Sequence, residues 1–236
     1  MIISSTKYRT LKKSFFNFIF LLLSVNILFS QVESLNDSFF YREDQIYIGI
    51  SFVLLESNQK DLSSRGLSSH FQLGVIRDFP ISKNGRFAFG FGLGMNYEKY
   101  KTNLYRNVDQ SGKAIYSIIN DNSKSPLYFS IHSIETPLTF RWRSSSIKDY
   151  AFWRVYGGVS LQWNYSVIGK QGSIYLPVLD NLERIGTTSH LSFGYNTWNF
   201  YLAYRLSPFF KSESLAPSSS SIEFNPIKIG LIFYFL

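Results

Sequence analysis

The chain has 236 residues, with 24 Lys and Arg against 16 Asp and Glu for a formal charge of +8, and no cysteine. The missing cysteines exclude a disulfide framework, a thiolate metal site and a lipidated cysteine behind a leader. Aromatic residues reach 18% while charged ones stay at 17%, below the usual quarter, and past Gln31 no stretch is apolar enough for a spanning helix, which leaves strands as the way across a membrane.

At the N-terminus, Lys7, Arg9, Lys12 and Lys13 precede an apolar run from Phe15 to Phe29 that ends at Ser30-Gln31. A basic region, an apolar region and a small-residue cleavage point read as a signal peptide over residues 1–30. An uncleaved anchor is the alternative, opposed by the short run and by Asn17 and Asn26 within it. Cleavage removes four cations and no acid, which takes the formal charge from +8 to +4 and removes the main support for nucleic-acid binding. Residues 31–44 then form an N-terminal periplasmic segment and residues 45–236 a single domain.

That domain alternates. Gln45 to Leu55 sets Ile46, Ile48, Ile50, Phe52 and Leu54 on one face, and His70 to Phe79 sets Phe71, Leu73 and Val75 against His70, Gln72, Gly74 and Asp78. After a tight turn at Ser82-Lys83-Asn84-Gly85, the segment Arg86 to Lys101 has the cleanest pattern in the chain. Phe87, Phe89, Phe91, Leu93, Met95 and Tyr97 face one way, and Ala88, Gly90, Gly92, Gly94, Asn96 and Glu98 the other. Lipid outside and a crowded lumen inside demand this contrast of bulk, so the segment predicts a transmembrane β-barrel strand. Leu127 to Arg143 places Ile134, Leu138, Phe140 and Trp142 opposite Glu135, Thr139 and Arg141. Tyr150 to Tyr165 places Trp153, Val155, Val159, Leu161 and Trp163 opposite Arg154, Gly158, Ser160, Gln162 and Asn164. A weaker segment at Thr188 to Tyr195, another at Trp198 to Leu206, and a last one at Phe224 to Leu236 bring the total to eight.

The connections alternate in length as well. About 14, 25, 22 and 17 residues join segments one to two, three to four, five to six and seven to eight, whereas the intervening links are short. The expected fold is therefore all-β: an eight-stranded antiparallel up-and-down barrel in an outer membrane, with long loops outside the cell and both termini in the periplasm. A soluble lipocalin-like barrel is the rival architecture. Trp142, Trp153 and Trp198 near the tight turns and Trp163 towards the loops fit interfacial girdles.

Two resemblances follow from these residues. The end of the chain, from Lys228 through Gly230 to Phe233 and Phe235, resembles the C-terminal assembly signal of outer-membrane proteins, which implies the barrel-assembly machinery as a partner; here one residue, Leu236, follows the last aromatic. Leu73-Gly74-Val75, the Gly90/Gly92/Gly94 strand, Ile134-Glu135-Thr136-Pro137-Leu138, Gly194-Tyr195, Tyr204-Arg205-Leu206-Ser207-Pro208-Phe209-Phe210 and Pro226-Ile227 resemble the PorT-like outer-membrane β-barrel proteins of Bacteroidetes-type bacteria. That resemblance implies fold and compartment and supplies little biochemistry.

The candidate site lies in the lumen. Asp78, Glu135, Arg141, Arg154, Arg205 and Lys228 fall on inward faces, and an eight-stranded barrel has room only for packed side chains, so these charges must find one another. The expectation is a salt-bridge network centred on Glu135, with Arg154 and Arg205 as partners, acting as a polar plug; an ion path is the alternative. Pro137 removes a ladder donor and calls for a bulge beside Glu135. Ser130 and His132 share a face near the outer rim, the basis of a second alternative, a lipid A-modifying hydrolase. His70, His132 and His190 lack ligand spacing, so neither metal nor cofactor is expected. The loop from Lys99 to Lys124, with Lys101, Tyr105, Arg106, Lys113 and Tyr116, is read as solvated, with lipopolysaccharide, a glycan or a surface protein as candidate ligands beside the membrane lipid itself. Lys211 to Ser221 is read as a flexible loop.

Overall fold

The computed structural model describes residues 43–57, 61–108, 110, 112, 114–120, 124–144, 152–178, 182–211 and 224–235. The signal peptide, most of the 31–44 segment, residues 212–221 and Leu236 lie outside them. Eleven strands follow in chain order: β1 (Gln45–Ser57), β2 (Ser69–Pro80), β3 (Phe87–Lys101), β4 (Leu104–Val108), β5 (Ala114–Ile118), β6 (Leu127–Arg143), β7 (Trp153–Gln171), β8 (Ile174–Pro177), β9 (Ile185–Tyr195), β10 (Trp198–Arg205) and β11 (Phe224–Phe235).

Eight of these close into a ring in which every neighbour is antiparallel: β1, β2, β3, β6, β7, β9, β10, β11 and back to β1. Closure is visible at single residues, since Ile48 pairs with Leu73 on one side and Phe233 on the other, and Leu138 with Phe91 and Val159. A closed ring has no free edge, which is what a strand structure needs where no water can satisfy its backbone. The alternation of the sequence becomes a wall with an apolar outside, where Phe52, Phe89, Leu93 and Phe200 are each more than half exposed, and a polar inside, where Gln72, Asn96, Gln162 and Asn199 are buried.

Short turns join β2 to β3 and β9 to β10 at one rim. Gly85 there has φ 70° and donates to the Ser82 carbonyl at 2.9 Å, and Asn196, one of the residue types that tolerate the left-handed region, has φ 54° in the two-residue link to β10. The long connections gather at the other rim, and two carry structure of their own. β4 and β5 form a hairpin inside the stretch expected to be solvated, and β8 folds back on the end of β7.

Pro137 does not sit at a bulge. It faces inward and keeps register with Ser160 of β7, while its pairing with β3 lapses only at Gly92 and Leu93. Gly92 opposite leaves room for the ring, since a methyl group there would come within 2.9 Å of Pro137 Cγ. The bulge between β6 and β7 lies instead at the His132/Ser133 step, where β7 carries the extra residue Tyr165.

Candidate functional site

The six charged residues expected in the lumen are all buried inside the barrel, but their partners differ from those expected. Glu135 meets neither Arg154 nor Arg205: Tyr47 Oη donates to its Oε1 at 2.6 Å and Asn96 Nδ2 to its Oε2 at 2.9 Å. The ionic centre lies at the turn rim, on Asp78. Arg141 Nη1 stands 2.7 Å from one Asp78 oxygen, and Arg143 Nη1 2.7 Å from the other. Glu43, the second acid there, takes Arg143 at 3.4 Å and Arg154 at 3.5 Å. Arg141 also donates to Gln45 Oε1 and lies over the Tyr156 ring, 4.1 Å from its centroid. Three guanidinium groups thus share two carboxylates and several neutral acceptors, including the Gly85 carbonyl at 2.6 Å from Arg143 Nε. Bidentate, planar cations suit this crowded setting, where an unpaired charge would be costly.

Glu43, Gln45 and Arg143 escaped sequence reasoning for different reasons. Glu43 precedes the first strand, and only that strand's parity, carried back from Gln45 and Tyr47, marks it as inward. Arg143 carries a legible signal, since it continues the Arg141 parity, but it stands at the strand end, where the alternation has no further residue to support it.

Long side chains can lie across this wall because β2 and β3 bring glycines there. The Tyr47 phenol crosses both Gly74 and Gly94 on its way to Glu135, and a methyl group at either position would overlap its oxygen. Gly90 in the same way clears Arg141 and Thr139. Further towards the loops Lys228 pairs with Glu98 at 2.5 Å, and Tyr100 also donates to Glu98. Between these layers the lumen holds a cavity of about 20 Å³ beside Glu135, His190 and Tyr201, room for a single water.

Above Glu98 the character changes. Tyr100, Phe129, Ile131, Val167 and Phe224 from the strands meet Leu62, Leu104, Tyr116, Val178, Leu182, Phe209 and Phe210 from the loops in one buried apolar cluster. Phe209 is at its middle, 4.6 Å from Phe224 at a right angle and 5.2 Å from Tyr100 between ring centroids. Arg205 directs the chain into this cap. Its guanidinium donates to the carbonyls of Ser207 and Pro208 at 3.3 Å each, lies 5.0 Å from the Phe209 ring centroid, and fits against Gly186, where any side chain would collide with it. Arg205 is therefore a hook for the loop and not a partner of Glu135. Burial in the cap pushes the Tyr116 phenol up to about 12.

Among the assembly-signal residues, Lys228 and Gly230 face inward, Gly230 against Ser51, while Phe233 and Phe235 face outward, Phe233 edge-on to Trp198 at 4.6 Å. Ser130 and His132 sit on the outer wall with no hydrogen bond between them; His132 packs between Tyr97 at 5.0 Å and Tyr165 at 6.2 Å. Among the described residues no group of His, Asp and Glu is placed to hold a metal.

A closed eight-stranded ring with an apolar outer belt and a packed polar lumen defines an outer-membrane β-barrel protein. The chain belongs to the family of the outer membrane protein beta-barrel domain, whose model matches residues 29–233. No curated protein matches it. Among solved structures it is similar to Ail, the attachment invasion locus protein of Yersinia pestis, at 11% identity over 81% of this chain and 97% of that one with a TM-score of 0.33. The same protein in complex with the heparin analogue sucrose octasulfate matches at 9% identity over 82% and 99%, also at 0.33.

Proposed function

We propose that the protein is a closed outer-membrane barrel with a structural and surface-interaction role, presenting its long loops outside the cell and carrying no solute through its lumen. The observation that supports this is the stacking of obstructions along the lumen: the Asp78 arginine cluster, the Tyr47–Asn96–Glu135 layer, the Glu98–Lys228 pair and the aromatic cap. An ion would have to cross all four, and each is already hydrogen-bonded or dry.

In this reading the signal peptide is removed, the termini lie in the periplasm, and Lys228, Gly230, Phe233 and Phe235 serve as the signal read by the assembly machinery. In the same reading the chain is one of the PorT-like members of its family, which the motifs given above support. Reconstitution of the full chain in planar bilayers tests the lumen. Silent membranes are expected, with the protein's presence checked by its heat-modifiable migration, and stepwise conductance from the folded protein would establish a narrow channel instead.

A further inference from the structure

The outer wall is not uniform around the barrel. Among outward-facing residues of the eight barrel strands the cations are Arg77 near the turn rim and Lys99, Lys101 and Lys170 at the loop rim. The three lysines fall on one third of the circumference. Lys101 and Lys170 flank Tyr128 in a single cross-strand row, and Lys99 pairs with Ser130 in the row below. Strand spacing puts Lys101 and Lys170 about 10 Å apart and Lys99 about 7 Å from Lys101. Near their loop ends the other barrel strands turn Thr187, Asn225, Glu56 and Ser69 outward.

Among the described residues no carboxylate pairs with any of the three lysines; Lys170 leans over Tyr175 at 5.7 Å from the ring centroid. Directly beneath them runs a row of rings, Tyr97, His132, Tyr165 and Trp163, each 5.0 to 6.4 Å from the next. Rings of this amphipathic kind mark the level where acyl chains give way to headgroups. The apolar belt lies below that row and the lysines lie above it.

We propose that Lys99, Lys101 and Lys170, with the hydroxyls of Tyr128 and Ser130 between them, form a binding site for the phosphate of an anionic glycolipid of the lipid A class in the outer leaflet. The three lysines stand around two neutral hydrogen-bonding groups; Lys101 Nζ lies towards Gly66 and Lys170 Nζ towards Tyr175, and their flexible stems let both ammonium groups swing to a phosphate at this depth, with its acyl chains along Met95, Leu93 and Leu161. The site requires the loop rim to be outside the cell. It does not require a closed lumen, because a conducting barrel would keep the same wall, so failure of either reading leaves the other standing.

Native mass spectrometry of the detergent-solubilised full chain, titrated with bis-phosphorylated lipid A and with dephosphorylated lipid A, tests this. Phosphorylated lipid is expected to be retained and the dephosphorylated form to bind on the order of a hundredfold more weakly, the scale set by three surface cations. The triple variant Lys99→Gln, Lys101→Gln, Lys170→Gln is expected to lose the same factor while Arg77→Gln keeps wild-type binding. Equal retention of both lipids by the wild type would overturn the site without recourse to any variant. So would displacement of lipid A by inorganic phosphate at comparable concentration, which would make the free anion the ligand.

Discussion

Asp78→Asn unfolds at far lower urea than the wild type when both are refolded in lipid vesicles and followed by tryptophan fluorescence, with an expected loss of about 3–5 kcal/mol. The substitution keeps shape and volume and removes one charge. That charge is the counter-ion of both Arg141 and Arg143, each fully buried at 2.7 Å from it, and neither guanidinium can neutralise itself by losing a proton. Glu43 lies 3.4 Å from Arg143 and already serves Arg154 at 3.5 Å, so it cannot replace Asp78. Glu135→Gln is the contrast. It strands no cation, and its amide can still accept from Tyr47 while donating to Asn96, whose Oδ1 has no partner and becomes available if that side chain flips. Its cost should stay near 1 kcal/mol, the net value of one neutral hydrogen bond. If the two variants were equally destabilised, the lumen would have its centre at Glu135 after all.

How much of this was legible in the sequence depended on whether the signal was periodic. The eight barrel strands were, because every second residue from Ile46 to Leu54 or Phe87 to Tyr97 must face lipid, and such a pattern survives without knowledge of the neighbours. For β7 the alternation ends at Tyr165, short of the strand's end at Gln171, because the bulge there shifts the phase and Val167, not Ser166, turns inward. β4 and β5 were missed although Ala114, Tyr116 and Ile118 alternate and Gly112 with its φ of 82° marks the turn; five residues are too few to separate a strand from chance. Inward charges could be placed on a face but not paired, since pairing depends on how strand stagger brings Arg141 beside Asp78, 63 positions earlier in the chain. The aromatic cap leaves no periodic trace, because its loop members come from four separate connections and meet the strand members only after the barrel has closed.

The cap yields the second large effect. Phe209→Ala removes a ring that is 2% exposed and in contact with Tyr100, Phe224 and Phe210, and burial of that kind is worth about 3–5 kcal/mol when truncated to alanine. Phe209 belongs to a loop, so the loss should appear as local opening rather than collapse of the barrel, whose ladders lie below it. Tryptic cleavage after Lys211, followed by mass spectrometry in the regime where opening and closing outpace proteolysis, is expected to accelerate by roughly a hundredfold to several thousandfold, the same free energy read as a population. The heat-modifiable shift should survive, and Phe209→Leu should recover much of the protection because it refills most of the volume. Planar bilayers containing Phe209→Ala should remain silent, because the Glu98–Lys228 pair and the Asp78 arginine cluster still close the lumen beneath the damaged cap. Ion conductance from this variant alone would instead make the aromatic cluster the sole barrier, and the polar layers below it a hydrated path.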